Sequence, residues 1–353
     1  MKSRRQKTWL AVIVLLIVGV LVGAVILRKH AAPEPARLLS DGDAILYANL
    51  KPVRAFSDFG KKPRKDGDPE YQNFVAQTGF VFERDLDEAA VSVHGELAGA
   101  MGPDNVAPTT RFSWIFDGRF NSEKLTNYLK TRANDTDEYR GVTVYSIPLQ
   151  GRTVRVGVLS VDMVAASNLD GAQDIHGIID RYRASALPFG GPELVRGFYK
   201  HVPLGSAVWS ILKTTTAGEH SSPFLPGNIS LFVPANTSVV TSARALTSVH
   251  VKAELFTQSE ADAQKFKSQM DVFLALFKSV ESSVEPGGND KDVKAVFDSI
   301  KIEQSGTRAS LVAVIPFDFF KKLLSDTPSE VAPKPVPPAP QPPAPKAQKK
   351  KRP

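Results

Sequence analysis

The sequence has no cysteine among its 353 residues, and it has only three tryptophans, four methionines and six histidines. Without cysteine there is no disulfide bond, no thiolate nucleophile and no cysteine-ligated zinc or iron–sulfur cluster. No two histidines lie three or four residues apart, so the sequence shows no local pair of metal-binding imidazoles. The histidines are His30, His94, His176, His201, His220 and His250. We therefore predict neither a cofactor nor a metal site.

The sequence signatures of common catalytic sites are also missing. There is no GxxxxGK[ST] phosphate loop, GxGxxG dinucleotide loop, HExxH zinc motif or GxSxG nucleophile elbow. Asp41-Gly42-Asp43 and Asp66-Gly67-Asp68 favour turns, but neither leads into the oxygen-rich loop that calcium requires. Asp85 and Asp87 are close in sequence, yet paired acids are common in an acidic protein and assign no general acid or base. The sequence thus gives no catalytic residue.

Acidic residues are absent from both ends of the chain. Residues 1–30 and 331–353 together carry 12 of the 44 Lys and Arg residues and no Asp or Glu. The middle therefore holds 32 basic against 37 acidic residues, a net charge of −5. A mildly acidic body offers no basic stripe for a phosphate backbone, so we predict that it does not bind nucleic acid.

The only long apolar run is Thr8–Leu27, which has 20 residues and no charge. Twenty helical residues cover about 30 Å, the thickness of the hydrocarbon core of a bilayer. The alternative is a cleaved signal peptide, but the run is longer than such a segment and is followed by Arg28-Lys29-His30. We predict an uncleaved transmembrane signal anchor at 8–27, a cytoplasmic stub at 1–7 and an extracytoplasmic body, because residues 1–7 carry four basic side chains.

Gly19 and Gly23 form a GxxxG spacing within the predicted span. Such a pair lets two membrane helices approach closely. Glycine is also common in membrane helices that do not dimerise. The spacing therefore makes a weak homodimer one candidate interaction.

The body, after a linker at 28–37, is predicted to be an α+β protein made of two related units, each an antiparallel sheet with helices, at 38–190 and 191–325. The order of strand, capped helix and further strands occurs at 110–166 and again at 247–315. Asn121 and Ser259 are the predicted N-caps. The second helix has one apolar seam, predicted to face the sheet: Phe266, Met270, Phe273, Phe277, Val280 and Val284.

The amino-acid composition changes at residue 326. Residues 331–353 include nine prolines, so 326–353 is predicted to be a disordered, extended tail. Its cationic end suits adhesion to an anionic surface. A passive spacer is the alternative. The candidate adhesion residues are Lys346, Lys349, Lys350, Lys351 and Arg352.

Several motifs resemble those of uncharacterised bacterial proteins that have an N-terminal membrane anchor and a periplasm-facing body. The motifs are Leu38-Leu39-x3-Asp43-Ala44-x2-Tyr47-x-Asn49-Leu50, Phe74 with Gly79 and Asp85-Leu86-Asp87, Phe116-x-Gly118-x-Phe120, and Tyr139-Arg140-Gly141-Val142-x-Val144-Tyr145. They cover mainly residues 38–185 and consist of turn and packing residues. The resemblance implies an extracytoplasmic α+β domain and transfers no catalytic residue.

We therefore expect a single-pass protein of the cell membrane that acts as a non-catalytic envelope binding or scaffold protein. Its expected partners are the lipid bilayer, through 8–27, and an anionic envelope polymer or another envelope protein. The alternative is an extracytoplasmic hydrolase whose site is assembled only in the folded protein.

Overall fold

The computed structural model describes residues 31–56, 59, 69–95, 110–149, 151–184, 190–214, 232–245, 247–283 and 291–319, without the side chains of 56, 277–283 and 291–293. The helices are α1 Glu34–Leu38, α2 Leu50–Phe56, α3 Pro69–Thr78, α4 Phe82–Asp85, α5 Ser122–Arg132, α6 Gln173–Ala184, α7 Glu193–Phe198, a 3-10 turn Tyr199–His201, α8 Glu260–Ser283 and α9 Lys291–Ser299. The strands are β1 Ala44–Asn49, β2 Leu86–His94, β3 Arg111–Gly118, β4 Asp135–Tyr139, β5 Val142–Leu149, β6 Arg152–Val158, β7 Met163–Ser167, β8 Val208–Lys213, β9 Ser238–Ala245, β10 Val249–Phe256, β11 Lys301–Ser305 and β12 Arg308–Ile315.

These strands form one antiparallel sheet with the order β11-β12-β10-β9-β8-β1-β2-β3-β7-β6-β5-β4. The predicted α+β class with an antiparallel sheet is confirmed. The strands of residues 38–190 and 191–325 meet where β1 pairs with β8, with Ile45 opposite Ile211 and Tyr47 opposite Trp209. The Tyr47 and Trp209 rings stack with centroids 5.3 Å apart. Both predicted units therefore contribute to the same sheet.

Alternation along the strands gives the sheet two different faces. On the first face, Ile45, Ile115 and Trp209 are buried in one cluster with residues of α1, α6 and α7. On the second face, two separate clusters form: α5 packs over the β4–β7 end, and α8 packs over the β10–β12 end. The sheet is thus the middle layer between two layers of helices.

The predicted linker at 28–37 is wrong in its second half, because α1 begins at Glu34. Ala36 and Leu38 are fully buried against the first face of the sheet. Ala and Pro residues are typical of a linker, but Pro35 lies in the first turn of α1, where proline is tolerated because no N–H partner is needed there.

No helix among the described residues is long and apolar enough to cross a bilayer. The predicted anchor Thr8–Leu27, with Gly19 and Gly23, lies outside the described residues. So does the predicted tail 326–353 with its candidate adhesion residues.

Candidate functional site

Helix α8 starts as predicted, with Ser259 as its cap. The Ser259 hydroxyl accepts a hydrogen bond from the Asp262 backbone N–H at 3.1 Å and donates one to the Asp262 carboxylate at 2.7 Å. These bonds satisfy an otherwise unpaired N–H of the first turn and fix the point at which the helix leaves β10. Phe266 and Met270, each 1% exposed, then pack against the sheet.

The predicted apolar seam does not stay buried along the whole helix. Phe273 is 40% exposed, so its predicted burial is wrong; the side chains of Phe277, Val280 and Val284 lie outside the described residues. Helix α8 packs on β11 and β12, and its burial ends between Met270 and Phe273.

An apolar groove lies beside the exposed part of α8. Its volume is about 320 Å³, and Val272 and Leu276 are 60% and 61% exposed. The groove is lined by Phe232, Ser268, Gln269, Val272, Phe273 and Leu276. Phe232 lies in the segment just before β9, at least 36 positions away in sequence from the α8 residues that line the groove. A concave apolar surface of this kind is suited to contact with an apolar group of a partner.

A second candidate is a cluster of polar side chains at the opposite face of the sheet. The Nε2 atom of His94 lies 3.2 Å from the Ser113 hydroxyl and 3.4 Å from the Ser40 hydroxyl. Ser113, which is fully buried, donates a hydrogen bond to the Asp174 carboxylate at 2.7 Å. Burial lowers the pKa of His94. The nearby carboxylates of Asp174, Asp43 and Asp41 act in the opposite direction but have a smaller effect. At neutral pH the imidazole is therefore mainly uncharged.

The order of these groups differs from that of a serine hydrolase. In a catalytic triad the imidazole lies between the hydroxyl and the carboxylate and takes the proton of an accessible hydroxyl. Here the hydroxyl of Ser113 lies between His94 and Asp174, and it is buried. The cluster instead joins the segment before β1, strands β2 and β3, and helix α6. Its geometry fits a structural hydrogen-bond network.

Next to this cluster, the backbone at Gly42 lies very close to strand β2, which explains why the residue is a glycine. A Cβ atom on Gly42 would lie 2.3 Å from the Ser92 hydroxyl and 2.6 Å from the Val93 carbonyl oxygen. The predicted turn at Asp41-Gly42-Asp43 thus serves packing. Asp43 accepts a hydrogen bond from the Gly95 backbone N–H at 2.8 Å.

Two carboxylates face each other near the other end of β2 and β3. Glu88 and Asp117 are opposite one another in the β2–β3 register, and Tyr47 donates a hydrogen bond to Glu88 at 2.8 Å. Burial, reinforced by the charges of Glu88 and Asp162, raises the pKa of Asp117 to about 6. Burial and the Glu88 charge also raise the pKa of Tyr47.

Asp85 and Asp87, the two acids that are close in sequence, make contacts that stabilise the fold. Asp85 is hydrogen-bonded by the Val81 backbone N–H at 3.0 Å and pairs with Arg84, whereas Asp87 pairs with Arg54. In the part of the chain that the structure describes, no three His, Asp or Glu side chains come together so as to hold a metal ion.

Comparison with known proteins finds no matching family model and no matching curated protein. Solved structures of TP0453 match over most of the chain. Crystal form III is 10% identical, with 83% of this chain and 98% of that chain covered and a TM-score of 0.41. Crystal form IV is 13% identical, with 83% and 97% covered and a TM-score of 0.40. Crystal form I is 9% identical, with 84% and 98% covered and a TM-score of 0.39. These scores are low.

Sequence reasoning did not find the groove or the polar cluster. The groove joins Phe232 to residues of α8 that are at least 36 positions away in sequence, and the cluster joins residues separated by 19 and 61 positions. The exposed residues Val272 and Leu276 did give a signal, because they widen the apolar arc of α8 beyond a single seam.

Proposed function

We propose that the protein is a non-catalytic binding or scaffold protein of the cell envelope, anchored in the cell membrane by residues 8–27 with its body outside the cytoplasm. The anchor is supported by the 20-residue uncharged run and the basic stub before it. The groove on α8 carries the binding function. Val272 and Leu276 are more than half exposed beside Phe273, and exposed apolar side chains that cluster in this way mark binding surfaces more often than isolated ones do.

Cysteine cross-linking tests the groove, because the protein has no native cysteine to compete for the reagent. Full-length Leu276→Cys would be labelled in membranes with a photoactivatable cross-linker. Val161→Cys is the matched control, since Val161 is 73% exposed but lies in the turn between β6 and β7. We expect a discrete adduct from the groove position and none from the control. Identical adduct patterns from both positions would contradict a binding role for the groove.

The alternative function, an extracytoplasmic hydrolase, is favoured by one observation: Ser40 is only half-buried and contacts His94. A serine-directed phosphonate probe separates the two functions. Under our proposal the probe does not label the full-length protein. Labelling that disappears in Ser40→Ala and in His94→Ala would favour the hydrolase.

We also propose that residues 38–190 and 191–325 are diverged copies of one unit. A short helix, α1 or α7, comes before three neighbouring strands, β1-β2-β3 or β8-β9-β10. In each, a capped helix follows, and the last strand returns beside the third, as β7 does next to β3 and β12 next to β10. The antiparallel β1–β8 pair lies at the centre of this arrangement. Superposing β1–β3 on β8–β10 should also bring α5 onto α8; helices on opposite faces after superposition would contradict the duplication.

A further inference from the structure

Helix α8 runs toward the end of the sheet at which the chain leaves β12. In the β10–β12 pair, Phe256 is opposite Arg308 and Val249 is opposite Ile315. Helix α8 begins four residues after Phe256, at the Arg308 end, and packs on β11 and β12, so it runs along these strands toward Ile315. The C-terminal residues of the chain therefore start from the end of the sheet that α8 approaches.

A proline-rich part of these C-terminal residues is within reach of the groove on α8. The structure describes the chain to Phe319, and residues 335–345, which we call the proline segment, begin 16 residues later. Sixteen residues extend up to about 53 Å, whereas α8, with its 24 residues, is about 36 Å long. The proline segment can therefore reach the groove whichever path the residues between them take.

The proline segment has a chemistry that matches the groove. Seven of its 11 residues are proline and none is charged, and the residues that line the groove are also uncharged and include Phe232 and Phe273. Aromatic-lined grooves bind polyproline II segments by packing proline rings on the aromatic rings. Because such a segment has no internal hydrogen bonds, its carbonyl groups need donors, and Ser268 and Gln269 bring a hydroxyl and an amide to the groove.

The size of the groove favours a short extended segment over a second copy of the folded body. Its volume of about 320 Å³ lies at the lower end of the range for small-ligand sites. Six of the described residues line it, whereas a stable dimer interface takes about 20–30 residues from each side. A polyproline II segment is already extended before it binds, so it loses little conformational entropy in such a groove.

We propose that the proline segment occupies the groove on α8 of its own chain when no envelope partner is bound there, and that a partner binds by displacing it. This inference rests on the proposed function of the groove as a binding surface. A flexible linker holds a segment near its site at an effective concentration of about 1 mM. A weak contact with a Kd of about 0.3 mM then fills about three grooves in four, and a partner binds about fourfold more weakly than to an empty groove.

Pairs of engineered cysteines test this contact in the full-length protein, which has no cysteine of its own. Leu276→Cys lies in the groove, and Ala339→Cys lies in the middle of the proline segment. The matched control combines Ala339→Cys with Gln264→Cys, because Gln264 is exposed on the same helix but is not among the described residues that line the groove. With a short bismaleimide at high dilution, we expect about threefold or more intramolecular product from the 276–339 pair than from the 264–339 pair. Equal yields from the two pairs, or product that forms only between two chains, would overturn the proposal.

Replacement of prolines separates binding of the proline segment from mere proximity of the chain. Serine would replace five prolines without changing the length of the tail: Pro337, Pro338, Pro340, Pro342 and Pro343. We expect these substitutions to lower the yield of the 276–339 pair to that of the control pair. Replacing the four basic residues at 349–352 by serine should leave the yield unchanged, because the residues that line the groove are uncharged. The opposite pattern would assign the contact to charge and overturn the proposal.

Photo-cross-linking in membranes distinguishes failure of this inference from failure of the proposed function. Full-length Leu276→Cys with a photoactivatable reagent would be compared with the same protein carrying the five serine substitutions. We expect the yield of partner adduct to rise by about fourfold when the prolines are replaced. Equal yields would leave the groove as a binding surface and overturn its occupation by the proline segment. No partner adduct from either protein, with the 276–339 product retained, would instead overturn the proposed function.

Discussion

Truncating two phenylalanines of α8 should have very different effects on the stability of the protein. Phe266 and Phe273 are the same residue type on the same helix, two turns apart. Phe266 is 1% exposed within the core cluster under α8, whereas Phe273 is 40% exposed at the groove. The comparison therefore isolates the effect of burial, because side-chain chemistry and helix propensity are identical at the two positions.

The expected magnitudes follow from burial and from the cavity that each truncation leaves. Phe266→Ala removes a fully buried ring from a closed core and should cost about 3–5 kcal/mol. Phe273→Ala loses only part of the transfer free energy of a phenylalanine and leaves no closed cavity, because the groove is already open. Its cost should be about 1–1.5 kcal/mol.

Urea unfolding followed by far-UV circular dichroism measures both losses, provided that the slope of the transition is unchanged. Phe266→Leu serves as a control that keeps the apolar character and should lose less than the alanine variant. Equal destabilisation by Phe266→Ala and Phe273→Ala would refute the conclusion that Phe273 lies at an open groove, and it would show that Phe273 belongs to the core.

Three further predictions concern charge, topology and the tail. Asp117→Asn should stabilise the protein by about 1–2 kcal/mol at pH 8 and have little effect near pH 4, because burial raises the folded-state pKa of Asp117 to about 6 and such an acid loses stability as the pH rises from its unfolded pKa through that value. Urea unfolding at both pH values measures this, and equal effects at both would contradict the raised pKa. Protease added to intact spheroplasts should digest the body and spare the N-terminal stub; survival of the body together with a cytoplasmic marker would contradict the proposed orientation. Deleting residues 331–353 should leave the thermal midpoint unchanged and reduce retention on acidic vesicles at low salt, since six basic side chains are lost; equal retention would contradict adhesion of the tail to anionic surfaces.

Local signals predicted much of the secondary structure. Asn121 accepts a hydrogen bond from the Lys124 backbone N–H at 3.0 Å, as its position before α5 predicted. Strand β3 and the β11–β12 hairpin, whose turn contains Gly306, depend on equally local signals. In each case the controlling interaction joins residues that are close in sequence, so the pattern is readable from the chain alone.

Strand β4 shows where local signals were insufficient. Its sequence, Asp135–Tyr139, is largely acidic and exposed, and acidic residues are disfavoured in strands. It forms because Arg140 and Gly141 adopt φ angles of 49° and 73°, which match a two-residue hairpin turn, and because β5 supplies a paired edge. The sequence contains the residues typical of a turn, but the acidic strand that precedes them was not predicted.

The sequence by itself determined the class of the fold, the caps of the long helices and the exclusion of cysteine chemistry. Tertiary structure alone decided that β1 pairs with β8 and makes one sheet of both halves, that His94 meets Ser113 and Asp174, and that Phe273 of α8 lies at a groove. The physical reason is the sequence separation of the interacting residues. Caps and turns depend on neighbours a few residues away, whereas strand order and the groove depend on segments that meet only in the folded chain.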